Sequence, residues 1–494
     1  MQACDHFIAG RRYPASASER IEVINPATGV LLAELPCATS AVIDDAVASA
    51  RQAFLQWSDT PVIERARVLF KFQQKLEEHR KELVELVVLD NGKTLAEANG
   101  EVQRGIEAVE FATGIPSQMM GTTLEEVARG IDCEMFRQPL GVVTGFTPFN
   151  FPVMVPLWMI PVALACGNAF ILKPSERAPL ASIRLAELFA ECGAPAGTLN
   201  VVHGSRSVAD ALMAHPDVRA VSVVGSSPVA QQVYTKAAAS GKRVQALGGA
   251  KNALIVMPDA DLNLSVESIV ASAFGCAGQR CLAGSNVVAV GNIGKKLVPE
   301  LSAAAGQLRI GPGIDPQTKM GPVISTEARE RVLGYVTAGL SEGAKLALDG
   351  RIERSGPLGN GFFVGPTILQ EVHPEMSVAK DEIFGPVLSV IDASSLEEAI
   401  DLINRSPFGN SASIYTTSGA AARVFRRRIE SGMLGINLGV PAPMAFMPFC
   451  GWKGSFFGDL HAQGKEAVEF YTRRKVVTSR WGESETLWKS APAS

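Results

Sequence analysis

Residues 275–285 read GCAGQRCLAGS, which sets Cys276 and Cys281 among glycines with Arg280 directly before the second thiol. A thiolate is a soft nucleophile that adds readily to a carbonyl carbon, so a presented cysteine suggests covalent chemistry. Taken alone, a cysteine in a glycine-rich loop is more often a small buried hydrophobe. A guanidinium buried without an anion costs several kcal/mol, so Arg280 beside a nucleophile would suit an acidic substrate. Asn150 in TPFNFP (147–152) offers a carboxamide donor for a developing oxyanion, or is simply a turn residue before Phe151 and Pro152.

The elements around these residues say which cysteine is presented. In DLNLSVESIVASAFG, residues Val266, Ile269, Val270, Ala273 and Phe274 recur on one helical face, Gly275 ends the helix, and NVVAVG (286–291) begins a strand. Cys281 therefore falls on the connecting loop, where reactive side chains are usually held, while Cys276 sits among packing residues at the helix end. From residue 142, the runs VVTGF, AFILKPS, LNVVHG, AVSVVGS, KRVQAL and ALIVMP alternate with helical segments such as SIRLAELFAEC and PVAQQVYTKAAASG. Uniformly apolar strands separated by helices predict a doubly wound parallel sheet. The first 140 residues differ, with long helical stretches such as IDDAVASARQAFLQW and ARVLFKFQQKLEEHRKELVELVVLDNG, and a second α/β series follows residue 247.

Composition excludes little and adds nothing basic: 46 Lys and Arg stand against 50 Asp and Glu, a net charge of −4, so no nucleic-acid or membrane-surface partner is expected. The eight cysteines are scattered, with no Cys-x-x-Cys pair and no zinc-type spacing, so no metal site is expected and a reduced, cytoplasmic setting is. The N-terminal MQACDHFIAGRRYP carries no export-signal character. FPVMVPLWMIPVALACGNAFIL (151–172) is long enough to cross a bilayer, but its three prolines and the Gly167–Asn168 break predict a buried helix followed by a buried strand.

TPFNFP at 147–152, LKPSE at 172–176, VVGSS at 223–227, GQRC at 278–281 and EIFGP at 382–386, in this order and spacing, resemble the NAD(P)-dependent aldehyde dehydrogenase superfamily. GKRVQALGGAKNALIVMPDAD, AFGCAGQRCLAGS and EFYTRRKVVTSRW resemble its CoA-acylating methylmalonate-semialdehyde dehydrogenase branch. The resemblance covers nearly the whole chain. It implies an α/β fold with a Rossmann-type NAD-binding domain (1–118 and 141–246), an α/β catalytic domain (247–447), and a small β oligomerisation element with C-terminal segments (119–140 and 448–494). A homodimer or homotetramer is implied in the same way, since a C-terminal strand without its own domain is an edge for a neighbour to pair with.

The resemblance also assigns roles. Cys281 is the nucleophile, and the Asn150 amide with the Cys281 backbone N–H forms the oxyanion site. Arg280 and Arg104, in EVQRGIEAVEF, are expected to hold a substrate carboxylate in fork geometry. Read from its own segment, Arg104 lies off the stripe of Val102, Ile106 and Val109 and so belongs to a solvated face. NAD contacts are expected from Phe149, Lys173, Glu176, Gly225, Ser226, Glu382 and Phe384; Glu176 would favour a free ribose 2′-hydroxyl, hence NAD over NADP. Gly225 and Ser226 occupy a strand–turn–helix without the Gly-x-Gly-x-x-Gly pattern, a weak signal by itself.

One absence is informative. Hydrolytic relatives carry a glutamate at the start of a Glu-Leu-Gly-Gly segment, which here reads Ala246-Leu247-Gly248-Gly249. Without that base water attacks a thioester slowly, whereas a thiol needs less help, so coenzyme A is the expected acyl acceptor. For a 3-oxo acid the product is an acyl-CoA with loss of CO2: propionyl-CoA from methylmalonate semialdehyde, acetyl-CoA from malonate semialdehyde. The alternatives are an aldehyde dehydrogenase of different substrate, or a catalytically silent dehydrogenase-like binding protein. A cysteine hydrolase is disfavoured, because none of the six histidines sits in a pairing motif.

Overall fold

In the computed structural model, residues 2–14, 19–352 and 358–480 are described. The apolar runs after residue 142 form the parallel heart of an eight-stranded sheet. Arg243–Leu247, Val218–Val224, Val142–Phe146, Ala169–Lys173 and Leu199–Val201 lie side by side in that order, all parallel. Antiparallel strands close both sides: Phe456–Phe457 from the C-terminal segment against Arg243–Leu247, and His6–Ile8 with Arg11–Tyr13 from the N-terminus. The chain thus weaves its two ends into one sheet.

The strands Val142–Phe146 and Ala169–Lys173 are buried at every residue, as a sheet covered on both faces requires. The apolar stretch at 151–172 is a helix, Met154–Ala165, running into the strand Ala169–Lys173, with its helical residues almost all buried. Pro161 lies inside this helix. Among the described residues, no helix is long and apolar enough to cross a membrane. The single helical run expected over 66–92 is two helices, Val62–Glu78 and Arg80–Asn91, broken at His79, whose φ/ψ of −100°/14° departs from the helical basin. That break lets each helix bury its own face.

The second sheet has seven strands ordered Lys345–Leu348, Thr367–Gln370, Val387–Ala393, Gly284–Val290, Asn252–Val256, Ser411–Tyr415 and Met433–Ile436. All pairs are parallel except the first. A third, antiparallel sheet pairs Thr472–Arg480 with Ile131–Pro139, and that strand with Thr122–Ala128. Thr122–Ala128 is exposed at every residue, and Thr472–Arg480 forms the opposite edge. Trp481 and the remainder of the 448–494 segment beyond Arg480 lie outside the described residues.

Packed on the second sheet, the helix Leu262–Phe274 is started by Asp261, whose side chain accepts from the Leu264 amide, and is stopped at Gly275. The chain then makes a 3-10 turn in which Cys276 and Ala277 have φ of 53° and 51°, a left-handed conformation costly for non-glycine residues. Gly278 continues it at φ +70°, and a Cβ there would meet the Gly385 carbonyl oxygen at 2.2 Å. The turn bearing the thiol is thus seated against EIFGP. Gly278→Ala should therefore cost about 1–3 kcal/mol and displace the loop. By contrast, Gly241→Ala, at φ +69° with nothing within 4 Å, should cost only about 1 kcal/mol. Urea unfolding compares the two, and equal losses would mean the Gly278–Gly385 approach carries no energy.

Candidate active site

Cys281 sits in the turn between this 3-10 segment and the strand Gly284–Val290. Its carbonyl accepts from the Asn252 amide at 2.9 Å and the Asn410 amide at 2.8 Å. The Asn252 amide also donates to Ala283 O at 2.9 Å. These bonds pin the loop to two strands of the second sheet. Asn150 arrives from the first: its Nδ2 donates to Gln279 O at 3.0 Å and lies 3.9 Å from the Cys281 Sγ. The Asn150 carboxamide is buried and its Oδ1 has no partner. The structure brings together Cys281 and Asn150, the thiol and the carboxamide singled out in the sequence.

Burial, then the nearby Glu382 carboxylate, pushes the Cys281 thiol up to about 11, against the lowering influence of Asn150. Burial, then Glu97, pushes the Cys276 thiol up to about 12. Both thiols line one cavity of about 360 Å³ together with Arg104, Arg280, Phe151 and Trp158. Cys281 is the one beside Asn150; the Cys276 backbone N–H is held by Glu97 Oε1 at 2.6 Å.

The two arginines face this cavity, with prior commitments. Arg104, on the helix Leu95–Thr113, is half-buried rather than solvated, and its Nη1 donates to Glu107 Oε2 at 3.0 Å. Arg280 turns Nη2 back onto the carbonyls of Ala271 and Ser272, the latter at 2.9 Å, capping the helix Leu262–Phe274. Its Nε is buried without a partner. So Arg280 has a structural function that its position beside the cysteine did not reveal.

The expected NAD contacts gather at the carboxyl ends of the first sheet. After Leu199–Val201 the chain crosses back to Val218–Val224 on the far side of Val142–Phe146, and that reversal opens the crevice in which such sheets hold ligands. Gly225 follows Val218–Val224, its N–H bonded to Leu247 O at 3.0 Å. Exposed Ser226 precedes the helix Ser227–Ala239, whose first amides receive no side-chain cap and so remain available to an anion. Lys173 is buried at its strand end and pairs with Glu176 at 3.3 Å; desolvation lowers its pKa, with Glu176 opposing. Phe149 and Phe384 meet edge to face at 5.9 Å, and Phe384 holds φ 54°. Glu382 Oε1 accepts from Ala250 N at 2.9 Å, and a Cβ on Gly249 would meet its Oε2 at 2.3 Å. These residues fit a dinucleotide: free helix amides for a pyrophosphate, Lys173 and Glu176 for one ribose, Glu382 with the two phenylalanines for the other end.

Residue 246 needs correction. On the strand Arg243–Leu247, Ala246 points into the apolar packing with Val142, Phe146 and Val223, whereas Leu247 belongs to the opposite cluster with Leu282, against which Cys281 packs. Strand alternation separates them. The side chain on the thiol's face of the sheet is therefore Leu247, and a carboxylate at 246 would be buried in the core.

The other acids at the cavity wall are occupied. Glu97 binds the Cys276 and Thr94 amides, Glu107 accepts from Arg104 and Gln103, and Glu101 pairs with Lys93. Lys93, Glu101, Asn252 and Asn410 were not singled out in the sequence. The available signal was Glu101, a carboxylate on the buried face with Ala98, Val102, Gly105 and Ile106. Lys251 is also buried, its Nζ without a partner, and burial lowers it to about 7.

The sequence profile of the aldehyde dehydrogenase family matches residues 13–477, and the chain belongs to that family. It is similar to malonate-semialdehyde dehydrogenase 1 of Geobacillus thermodenitrificans, 55% identical over 97% of this chain and 99% of the relative. A solved putative methylmalonate-semialdehyde dehydrogenase of Sinorhizobium meliloti, complexed with NAD, superposes with a TM-score of 0.97 at 45% identity, covering 98% of this chain and 99% of that one. The methylmalonate-semialdehyde dehydrogenase of Oceanimonas doudoroffii does so at 0.96 and 46%, over 98% and 99% of the two chains.

Cys281→Ala should reduce aldehyde oxidation by more than about a thousandfold, whereas Cys276→Ala should stay within a few-fold. Steady-state NADH formation distinguishes them, and the reverse order would transfer the nucleophile's role to Cys276. With a thiol pKa near 11, alkylation of Cys281 by iodoacetamide in the free enzyme should rise about tenfold per unit from pH 7 to 9 without levelling. A plateau near pH 8 would show a thiolate stabilised in the resting site.

Proposed function

We propose that this enzyme oxidises malonate or methylmalonate semialdehyde with NAD and transfers the acyl group to coenzyme A. The single observation that carries the reading is the cavity lined by Cys281, Arg104 and Arg280, with the Asn150 amide 3.9 Å from the thiol and every wall carboxylate already engaged. Cys281 Sγ, once deprotonated, adds to the aldehyde carbon; the carbonyl electron pair moves to oxygen, which the Asn150 amide and the Cys281 N–H receive. Arg104 and Arg280 hold the substrate carboxylate. Ser226, Lys173, Glu176, Glu382, Phe149 and Phe384 would hold NAD, whose nicotinamide would supply the acceptor for the hydride that the thiohemiacetal carbon loses in becoming a thioester. The carboxylate then leaves as CO2, its bonding pair remaining on the α-carbon, which takes up a proton. Coenzyme A thiolate displaces Cys281 and carries off propionyl or acetyl.

Leu247 supports the choice of acceptor, since an apolar side chain stands on the face of the sheet where a hydrolytic base would be needed. We propose that 1–118 and 141–246 bind NAD, that 247–447 carry the thiol, and that 119–140 with 448–494 associate subunits through the edge strand Thr472–Arg480, giving a dimer or tetramer; the two separate large sheets support the division, although Phe456–Phe457 of the last segment joins the first sheet. Cysteines free throughout the described residues suit the cytoplasm.

Without coenzyme A, malonate semialdehyde and NAD should yield a burst of about one NADH per active site and then stall; coenzyme A should restore turnover to acetyl-CoA. Equal rates with and without it, with free acid as product, would end the acylating assignment. Arg104→Leu should raise KM for the acidic semialdehydes roughly tenfold to a hundredfold and leave propanal almost unaffected. Arg280→Leu should do the same while also lowering the unfolding midpoint, because it uncaps a helix. Equal losses on propanal would make the arginines purely structural.

A further inference from the structure

Asn150 reaches Cys281 from a loop with no regular structure of its own, so something must fix the direction of its amide. Thr147 to Val153 connects the strand Val142–Phe146 to the helix Met154–Ala165. Lys93, in the link between the helices Arg80–Asn91 and Leu95–Thr113, donates through Nζ to the backbone oxygen of Asn150 itself. The same Nζ pairs with Glu101 Oε2 at 2.5 Å and lies 3.7 Å from the centre of the Phe151 ring. The other oxygen of Glu101 accepts from the amides of Val153 and Met154 at 2.8 and 3.2 Å. Asn91 Nδ2 adds a bond to Phe149 O at 2.8 Å. The side chains of Lys93 and Glu101 are 2% and 0% exposed, so solvent does not screen the pair.

A buried ion pair is weak evidence for stability, because desolvating two charges offsets most of their attraction. Its value lies in the geometry it enforces. Here every bond outside the pair itself goes to the backbone or ring of residues 150–154. We propose that Lys93 and Glu101 are positioning residues for the thiol chemistry, clamping the peptide of Asn150 so that its Nδ2 stands ready for the oxyanion that forms on Cys281. The inference rests on the reading of Asn150 given above. Neither side chain bonds the Cys281 thiol, and both reach it through the backbone of the loop that carries Asn150.

The test is a cycle of variants read by the pre-steady-state NADH burst with malonate semialdehyde. Lys93→Met combined with Glu101→Gln removes both charges together. It should slow the burst roughly tenfold to a hundredfold, with substrate KM and Cys281 alkylation within about threefold of wild type. Asn150→Ala should slow it at least as much. Adding the clamp substitutions to Asn150→Ala should then cost no more than about a further threefold, because the group they position is gone. A clamp variant at wild-type rate, or a combined loss equal to the product of the separate losses, overturns the proposal. Asn150→Ala bursting at wild-type rate would instead bring down the oxyanion assignment on which it rests. If the clamp variant does not fold, Lys93→Arg keeps the charge pair but not the single compact donor; a slowed burst with an ordinary melting curve supports the clamp, and an unchanged burst refutes it.

Discussion

The carbonyl oxygen of Cys281 accepts two side-chain amides, from Asn252 at the start of one central strand and from Asn410 just before its neighbour Ser411–Tyr415. That double acceptance fixes where the thiol stands. Asn252 Oδ1 in turn receives the Ser411 amide at 3.1 Å, so loop and strands are mutually fastened. A buried amide that lost these partners would leave several polar groups unsatisfied, each costing about 1–3 kcal/mol. The left-handed turn at 276–278 can persist only because such bonds over-determine it.

Everything else in the site is brought to this fixed point by two sheets whose central strands are parallel. Parallel strands place all their carboxyl ends on one side, and loops leaving those ends carry Phe149, Asn150, Lys173, Gly225 and Gly249. The EIFGP segment enters from the second sheet and touches both the thiol's turn, through Gly385 against Gly278, and the first sheet's end, through Glu382 over Gly249. Those glycines are needed because backbone or carboxylate occupies the space a Cβ would fill.

The electrostatics of the site are set by burial more than by free charge. Desolvation leads the causes that raise the Cys281 thiol and the Glu382 carboxyl and lower Lys251. Burial therefore opposes the charged form at each of these three groups. Several charges are tied into pairs, Lys93 with Glu101, Arg104 with Glu107, Lys173 with Glu176, while Arg280 and Glu97 are held by backbone carbonyls and amides. Such an interior suits a nucleophile that becomes charged only when a carbonyl is there to receive it.

The sequence by itself determined the five parallel strands of the first sheet to within about three residues, because short uniformly apolar runs can be satisfied only by burial on both faces, but not the antiparallel strands His6–Ile8, Arg11–Tyr13 and Phe456–Phe457 that flank them. It placed Cys281 on a loop, since helix periodicity ends at Gly275. It also carried the motifs that match the aldehyde dehydrogenase family. It did not determine which side chain faces the thiol at 246 and 247, because alternation says only that neighbours oppose one another, and which face meets the cysteine depends on how two sheets are packed. Nor did it reveal that Arg280 caps a helix, that Arg104 is half-buried, or that Lys93 and Glu101 hold Asn150. Each of those contacts joins residues brought together by long-range packing, or turns on a side-chain direction that spacing along the chain leaves open; only the tertiary structure decides which carbonyl, carboxylate or ring a buried cation will find.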